Sequence, residues 1–393
     1  MKNRILLFFS ALFSCMRAGF LGPFTVFMAA PTNFAALTPQ QKMIWSRDVW
    51  KAARDMAFIN KFTGTDENNV IQRITELTKT EKGEQAIMHL VADLVGDGVI
   101  GDNEREGNEE ELKSYNDIIT IDLITNSVRN KGKLAEQKTV IKFREQAKDK
   151  LAYWLSNRID QLAFLTMSGV DYSYNNDGSL RVNSPFPNLA FNADVSAPST
   201  KRYVQWKAST KEFITPAHAS LLVSDTPSYA MIVQAVAYAK DHYMKGLMAG
   251  GKEYYVMFVK PGFMAKLKQA ADYQAAIIQA ADRGMTNPFF TGGIVTVDGV
   301  IIHEHRLVYS TMGTATKWGA GTDVQGTRSL LCGAQALGMA DLGAPEWNEK
   351  EFQYGSSQGI NVDKMLGFLK PKFYSIYDKS VEDFGVLAID HAL

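Results

Sequence analysis

Three groups of residues have types and spacings that chemistry uses. Gly355-Ser356-Ser357-Gln358-Gly359 has the G-x-S-x-G form of a nucleophile elbow. Asp378 and His391 follow Ser357 in the order that α/β-hydrolases use for their acid and base. An elbow needs a buried strand before its serine and a helix after it. Here residues 346–354 are polar and acidic, Gly359-Ile360-Asn361 starts a helix poorly, and His391 stands two residues from the chain end, where fraying is expected. A serine hydrolase at Ser357 is therefore a remote alternative. His303-Glu304-His305 puts two imidazoles on one side of a strand, which is part of a zinc site. No third ligand has usable spacing, and alternation on an exposed strand face explains the pair more simply. Residues 93–106 are rich in Asp, Asn and Gly, but Val95 and Val99 interrupt the ligand pattern of an EF-hand. Neither a phosphate-cradling G-x-x-x-x-G-K-[ST] nor a dinucleotide fingerprint occurs. The expectation is no catalytic centre, no metal and no cofactor.

Composition narrows the rest. The 393 residues are 46% hydrophobic and 21% charged, an ordinary globular balance that can bury a core across two or three subdomains. Lys plus Arg equals Asp plus Glu at 42 each, which argues against a bulk basic coat for nucleic acid. Cys15 and Cys332 lie far apart in different contexts, so no disulfide and a reducing compartment are expected.

Residues 1–27 differ in character from the rest of the chain. Lys2 and Arg4 precede the apolar run Ile5 to Phe13, with small residues near Ala29 and Ala30, as in a secretory signal. The run is short for a membrane span. A secreted or surface binding protein would use such a segment. The preferred expectation is an upstream start chosen in error, with translation beginning at Met28; the intact mass of the native protein tests it.

The elements that would position any site are mixed α and β. Thr38-Pro39-Gln40-Gln41 starts a helix, and Ile44, Trp45, Val49, Ala52 and Met56 continue it at helical spacing to about Asn60. Residues 85–95 read as a strand, a glycine-punctuated turn follows at 96–102, and residues 118–128 read as the returning strand. Between Asp97 and Asp122 nine acidic residues face only Arg105 and Lys113. This long acidic hairpin needs outside support, because a lone hairpin is marginal in water. Residues 135–168 form the clearest helix, with Leu151, Leu155, Ile159, Leu162 and Leu165 in register and a basic first half. Asp225-Thr226-Pro227 starts another helix, ending near Gly250-Gly251. A strand at 254–259, a helix at 263–282 and a hairpin around Asp298-Gly299 come next. Further strands are expected at 330–337, 368–377 and 384–389.

Several stretches in order resemble one family. They are Glu76 to Glu81, Asp93 to Asn103, Glu106 to Glu110, Ala135 to Lys138, Tyr153 to Phe164 and Asn287 to Gly292. From about Pro31 onward the chain resembles the major capsid proteins of N-four-like tailed bacteriophages. The resemblance implies an α+β, Hong Kong 97-type capsid fold and a self-assembling subunit of an icosahedral head made of hexamers and pentamers. Such a subunit resides in the virion after assembly in the host bacterial cytoplasm, without a membrane partner. It encloses double-stranded DNA without sequence-specific contact and works with a portal protein. Residues 1–27 would be extraneous, 28–82 an N-terminal arm, and 83–129 the extended loop. Residues 130–224 would hold peripheral domain with the spine helix 135–168, 225–300 mostly axial domain, and 301–393 the remaining peripheral domain. The arm is short for a built-in scaffolding segment, so a separate scaffolding protein is expected. The candidate inter-subunit contacts are Gly96, Asp97, Gly98, Asp102, Glu109, Glu110 and Glu111, with carboxylates meeting basic groups on a neighbour.

Overall fold

The computed structural model describes residues 39–75, 85–91, 94, 96–110, 114–133, 138, 143–271, 273–274 and 295–393. The signal-like segment, the motifs at 76–81 and 287–292, Glu111, and residues 135–137 and 139–142 of the expected spine lie outside these. In chain order the first elements are α1 (Pro39–Met56), β1 (Thr63–Gly64), β2 (Ile71–Ile74), β3 (Gln85–Val91), β4 (Ser114–Thr120), β5 (Asp122–Arg129) and α2 (Phe143–Ser168). Then come β6 (Tyr203–Lys207), β7 (Glu212–Ile214), α3 (Tyr229–Asp241), β8 (Leu247–Ala249), β9 (Lys252–Val259) and α4 (Pro261–Gln269). From residue 295 onward every regular element is a strand: β10 (Val295–Val297), β11 (Val300–Glu304), β12 (Gly326–Cys332), β13 (Leu337–Asp341), β14 (Glu346–Phe352), β15 (Ser357–Leu369), β16 (Lys372–Ser375), β17 (Ser380–Asp383) and β18 (Val386–Ala392).

Helix α2 organises the molecule. Its 26 residues span about 39 Å at 1.5 Å each. The first half is amphipathic, burying Ala147, Leu151, Ala152 and Leu155. From Ile159 to Ser168 every residue is buried, so this half is enclosed on all sides, as helices without a polar face must be. It runs between two sheets. One has six strands in the order β1-β2-β13-β15-β14, with β5 on the other side of β15; the second has eight, in the order β10-β11-β9-β12-β18-β6-β7, with β8 on β9. Ile124, Trp347, Ile360 and Phe368 of the first meet Phe258, Leu330, Val386 and Ala388 of the second in one core around the helix. The far face of the eight-stranded sheet packs on α3 and α4 through Trp206, Ile232, Phe263 and Leu387. Strands β12 and β18 are buried at every residue, as expected of strands covered on both faces. The chain segment 301–393 thus contributes to both sheets, and residue 300 does not mark a change of sheet.

Several expected elements change on folding. The arm helix α1 buries Ser46, Val49 and Ala53, leaving Ile44 and Met56 exposed. Small residues let it lie close along α2 and β14, and Ser46 Oγ donates to the Pro345 carbonyl. The returning strand expected at 118–128 splits in two. Ile119 and Ile124 are both buried, yet they are an odd number of residues apart and cannot share a face of one continuous strand. The chain breaks at Ile121, so β4 pairs with β3 while β5 crosses to β15. The strand expected at 330–337 also divides. Gly333 lies so close to the Lys245 carbonyl that a Cβ would stand 2.1 Å from it, and Gln335 takes φ 50°. There the chain passes from the eight-stranded to the six-stranded sheet. The helix expected from Asp225 begins at Tyr229 and ends at Asp241, and Gly250-Gly251 turns the β8–β9 hairpin instead. Asp225 is fully buried and accepts the amides of Ala208 and Leu222, both at 3.0 Å. The helix expected over 263–282 breaks at Ala270, after Gln269; residues 271, 273 and 274 are helical again, and 275–282 lie outside the described residues. The Asp298-Gly299 hairpin forms as expected, with both residues at positive φ.

Candidate inter-subunit surfaces

Strands β3 and β4 pair from Gln85↔Thr120 to Val91↔Ser114 and carry the acidic loop. The inner face of this hairpin buries Ala86, Met88, Leu90 and Ile119 against Ile74 and Ala340, supplying the support that such a hairpin lacks alone. Its outer face leaves Ile87, Val91 and Ile118 exposed. Beyond it, residues 96–110 are all exposed apart from half-buried Val99. Several hydrogen bonds lie within the loop itself. The Gly96 amide donates to Glu110 Oε2 and the Gly107 amide to Glu109 Oε2, each at 2.7 Å. Asn103 Nδ2 donates to the Ile100 carbonyl at 2.8 Å, and Asn108 Nδ2 to that of Glu104 at 2.9 Å. Gly98, Gly101 and Gly107 hold φ between 68° and 88°, the left-handed region that glycine enters at little cost. Of the expected contact residues, Gly96, Asp97, Gly98, Asp102, Glu109 and Glu110 fall on this one loop. Glu109 and Glu110 also brace it from within. Ile100 is 79% exposed, and together with exposed Leu94 it gives the acidic loop an apolar component.

The basic run near the start of the spine is partly engaged within the chain. Arg129 lies 4.2 Å over the Phe352 ring, and Arg144 pairs with Glu349 at 2.5 Å. Lys131, Lys133, Lys138 and Lys150 are exposed.

The structure separates the three residues of the hydrolase reading. Ser357 opens β15 and is buried, accepting from Arg129 Nε and donating to the Asn130 carbonyl, both at 2.8 Å. Asp378 pairs with His242 Nδ1 at 2.7 Å in the β16–β17 turn. His391 is buried in β18, with Nδ1 2.8 Å from the Ala392 carbonyl and Nε2 2.8 Å from Ser329 Oγ. A carbonyl only accepts, so Nδ1 carries a proton; burial pushes the pKa down to about 4, which keeps the ring neutral near pH 7. The polar stretch before the serine is strand β14, but it leads into a hairpin rather than an elbow. His303 and His305 are not on an exposed face either. His305 lies between the rings of Phe58 (4.4 Å) and Phe164 (5.1 Å), and His303 packs edge-on to Phe62 at 4.8 Å. Among the described residues no cluster of His, Cys, Asp or Glu could hold a metal ion, and no helix is long and apolar enough to cross a membrane.

Two groupings were not visible in the sequence. One is a buried hub. Asp390 accepts from Arg328 Nε at 2.8 Å, Arg328 Nη2 at 3.1 Å and Tyr203 OH at 2.6 Å. Arg328 Nη1 donates to the carbonyl of Ser168 at 2.7 Å, capping the last turn of α2. Burial alone would raise the Asp390 carboxyl, but Arg328 and its hydrogen bonds hold it down at about 2. The other is a cleft of about 380 Å³ between Val91, the β16–β17 hairpin and the segment 240–255, with Lys240, Tyr243, Lys245, Tyr374 and Tyr377 in its walls. The nearest sequence signal is the scatter of aromatics at 373–377. Nothing in it points to residue 243.

Two sheets enclosing a long helix, with a hairpin that packs on one of them and carries an exposed loop, define a shell-forming subunit of the Hong Kong 97-type capsid fold. The phage capsid protein family model matches residues 33–393, and the chain belongs to that family. It is 52% identical over 363 residues to the major capsid protein of Pseudomonas phage KPP25, covering 91% of this chain and 96% of that one. The capsid of Ralstonia phage GP4 superposes with a TM-score of 0.71 at 27% identity, over 86% of this chain and 91% of that one. The cyanophage Pam1 capsid superposes at 0.66 with 20% identity, over 85% and 91%. The chain is a phage major capsid protein, a structural component of the virion that forms the head shell.

Proposed function

We propose that this chain builds an icosahedral shell of hexamers and pentamers around packaged double-stranded DNA, with the loop 96–111 carrying contact to the next subunit. The observation that carries this reading is an exposed loop that is acidic, self-braced and presents an apolar side chain to solvent. Within one chain such a loop adds little to stability. Across a closed ring of copies its carboxylates and Ile100 recur at every interface. Each exposed ion pair contributes only about 0–1 kcal/mol, so repetition and apolar burial supply the rest. The two sheets correspond to the peripheral and axial domains, and the hairpin to the extended loop. Shell building, rather than catalysis, is the chain's role, and assembly takes place in the host cytoplasm. A separate scaffolding protein sets the shell size, a portal protein occupies one vertex, and the DNA is enclosed without sequence-specific contact. Cryo-electron microscopy of assembled heads tests the central contact. Density for residues 96–110 should lie on an adjacent subunit, and a loop lying wholly on its own subunit would overturn the reading. Particles of uniform size from this chain expressed alone would remove the separate scaffold.

A further inference from the structure

The cleft beside the hairpin has the chemistry to receive the exposed Asp97, Ile100 and Asp102 of the loop. Tyr243 is held at φ 52°, a conformation unfavourable for a large side chain. Its ring stacks on Tyr377 at 3.6 Å, and both rings stay substantially exposed, as do Val91 and Tyr374. Aromatic surface of this kind, left open on one subunit, marks a site of contact. The volume of about 380 Å³ exceeds the roughly 150 Å³ that suffices to enclose a benzene, so a branched aliphatic side chain fits. Lys240 and Lys245 stand in its walls and are exposed. Glu253, the acidic residue in the lining, and Asp378 beside it are engaged at home, while Asp241 next to Lys240 is exposed. Glu253 Oε1 accepts from the Gly246 amide at 2.9 Å and from Tyr255 OH at 3.1 Å, and Asp378 is paired with His242. The cleft therefore offers an apolar floor with a cationic rim. The loop offers the complement: Ile100 between Asp97 and Asp102, all exposed. The exposed lysines near the start of α2 match the charge of the loop but supply no comparable apolar floor.

We propose that this cleft receives the acidic loop of a second copy of the chain, with Ile100 seated against Tyr243, Tyr374 and Tyr377, and Asp97 and Asp102 facing Lys240 and Lys245. The proposal rests on the reading that the loop docks on a neighbour, and it specifies where. Loop and cleft are different patches, so the contact is head-to-tail and closes into rings when the rotation permits.

The test places a photo-crosslinking benzophenone amino acid at position 100 in assembled heads and maps the adducts by mass spectrometry. Intermolecular adducts within 240–255 or 373–384 are expected. Intermolecular adducts elsewhere, for example in 129–150, overturn the cleft while leaving the loop–neighbour contact standing. Assembled heads without intermolecular adducts overturn both. A second arm keeps position 100 native. Lys240→Glu with Lys245→Glu should lower the yield of shells at least tenfold while the subunit keeps its urea midpoint, and adding Asp97→Lys with Asp102→Lys should restore much of it. Wild-type yield from the lysine variant, or no recovery in the charge swap, counts against the pairing.

Discussion

The loop at 96–110 and the hub around Arg328 are both polar, yet they stand in opposite relations to the rest of the chain. In the hub, the guanidinium of Arg328 satisfies buried Asp390, half-buried Tyr203 and the end of α2 at once. Its polar groups are consumed by folding. In the loop, Glu109 and Glu110 turn inward to backbone amides, while Asp97, Asp102 and Ile100 project into solvent. These groups are left for something other than folding. A shell subunit needs both: a core rigid enough to be copied many times, and a surface whose partners arrive only on assembly. Substitutions in the two regions should therefore separate, with hub changes acting on stability and loop changes on assembly.

The sharpest way to break this contrast is Arg328→Met, which leaves Asp390 buried without its guanidinium and with only Tyr203 OH and His218 Nε2 in hydrogen-bond reach. A loss of about 3–5 kcal/mol is expected, read as a fall in urea midpoint. Replacing both partners, as Arg328→Met with Asp390→Leu, should recover much of it, and failure to recover would mean that the hub is not held by pairing. Phe164→Ala comes next, at about 3–5 kcal/mol for the cavity between α2, Phe58 and Phe258; calorimetry of the subunit would register it.

Acid probes the same core. Burial, with help from Arg306 and Lys260, lowers His305 to about 4, and burial lowers His391 to about 4. The unfolded chain takes up these protons near 6.5, so stability is lost as pH falls from about 6.5 to 4. Asp160 acts in the other direction. Burial raises it to about 6 despite the amides of Phe58 and Ile59 that it accepts, so the cost of its ionisation is relieved between pH 6 and 4. Two histidines outweigh one carboxyl, and the urea midpoint should fall over that range. A midpoint that rises instead would show Asp160 to dominate. Smaller still is Asp160→Ala, which removes the carboxylate capping the turn at Ile59–Phe62 and should cost about 1 kcal/mol.

Much of this was readable in the sequence where the cause is local. The spine follows from apolar residues spaced by three and four, and the Asp298-Gly299 hairpin from two residues that accept positive φ. The acidic hairpin came from composition and glycine placement. The features that were not legible depend on distant chain. The break at Ile121 follows from which sheet covers Ile119 and which covers Ile124. The arm stripe shifted because α2 and β14, not water, set which residues face inward. Arg328 and Asp390 look like ordinary surface charges until β12 pairs with β18. The cleft joins residues more than a hundred positions apart, so no spacing announces it.

Asp97→Lys with Asp102→Lys tests the division between folding and assembly most directly, because it should have the smallest effect on the isolated subunit and a large one on the shell. Urea unfolding and particle sedimentation would be measured on the same preparation. The account predicts stability within about 0.5 kcal/mol of wild type, as for surface changes generally, together with soluble subunits or misshapen particles in place of heads. Normal heads from that variant, or a loss of stability large enough to explain their absence, would contradict it.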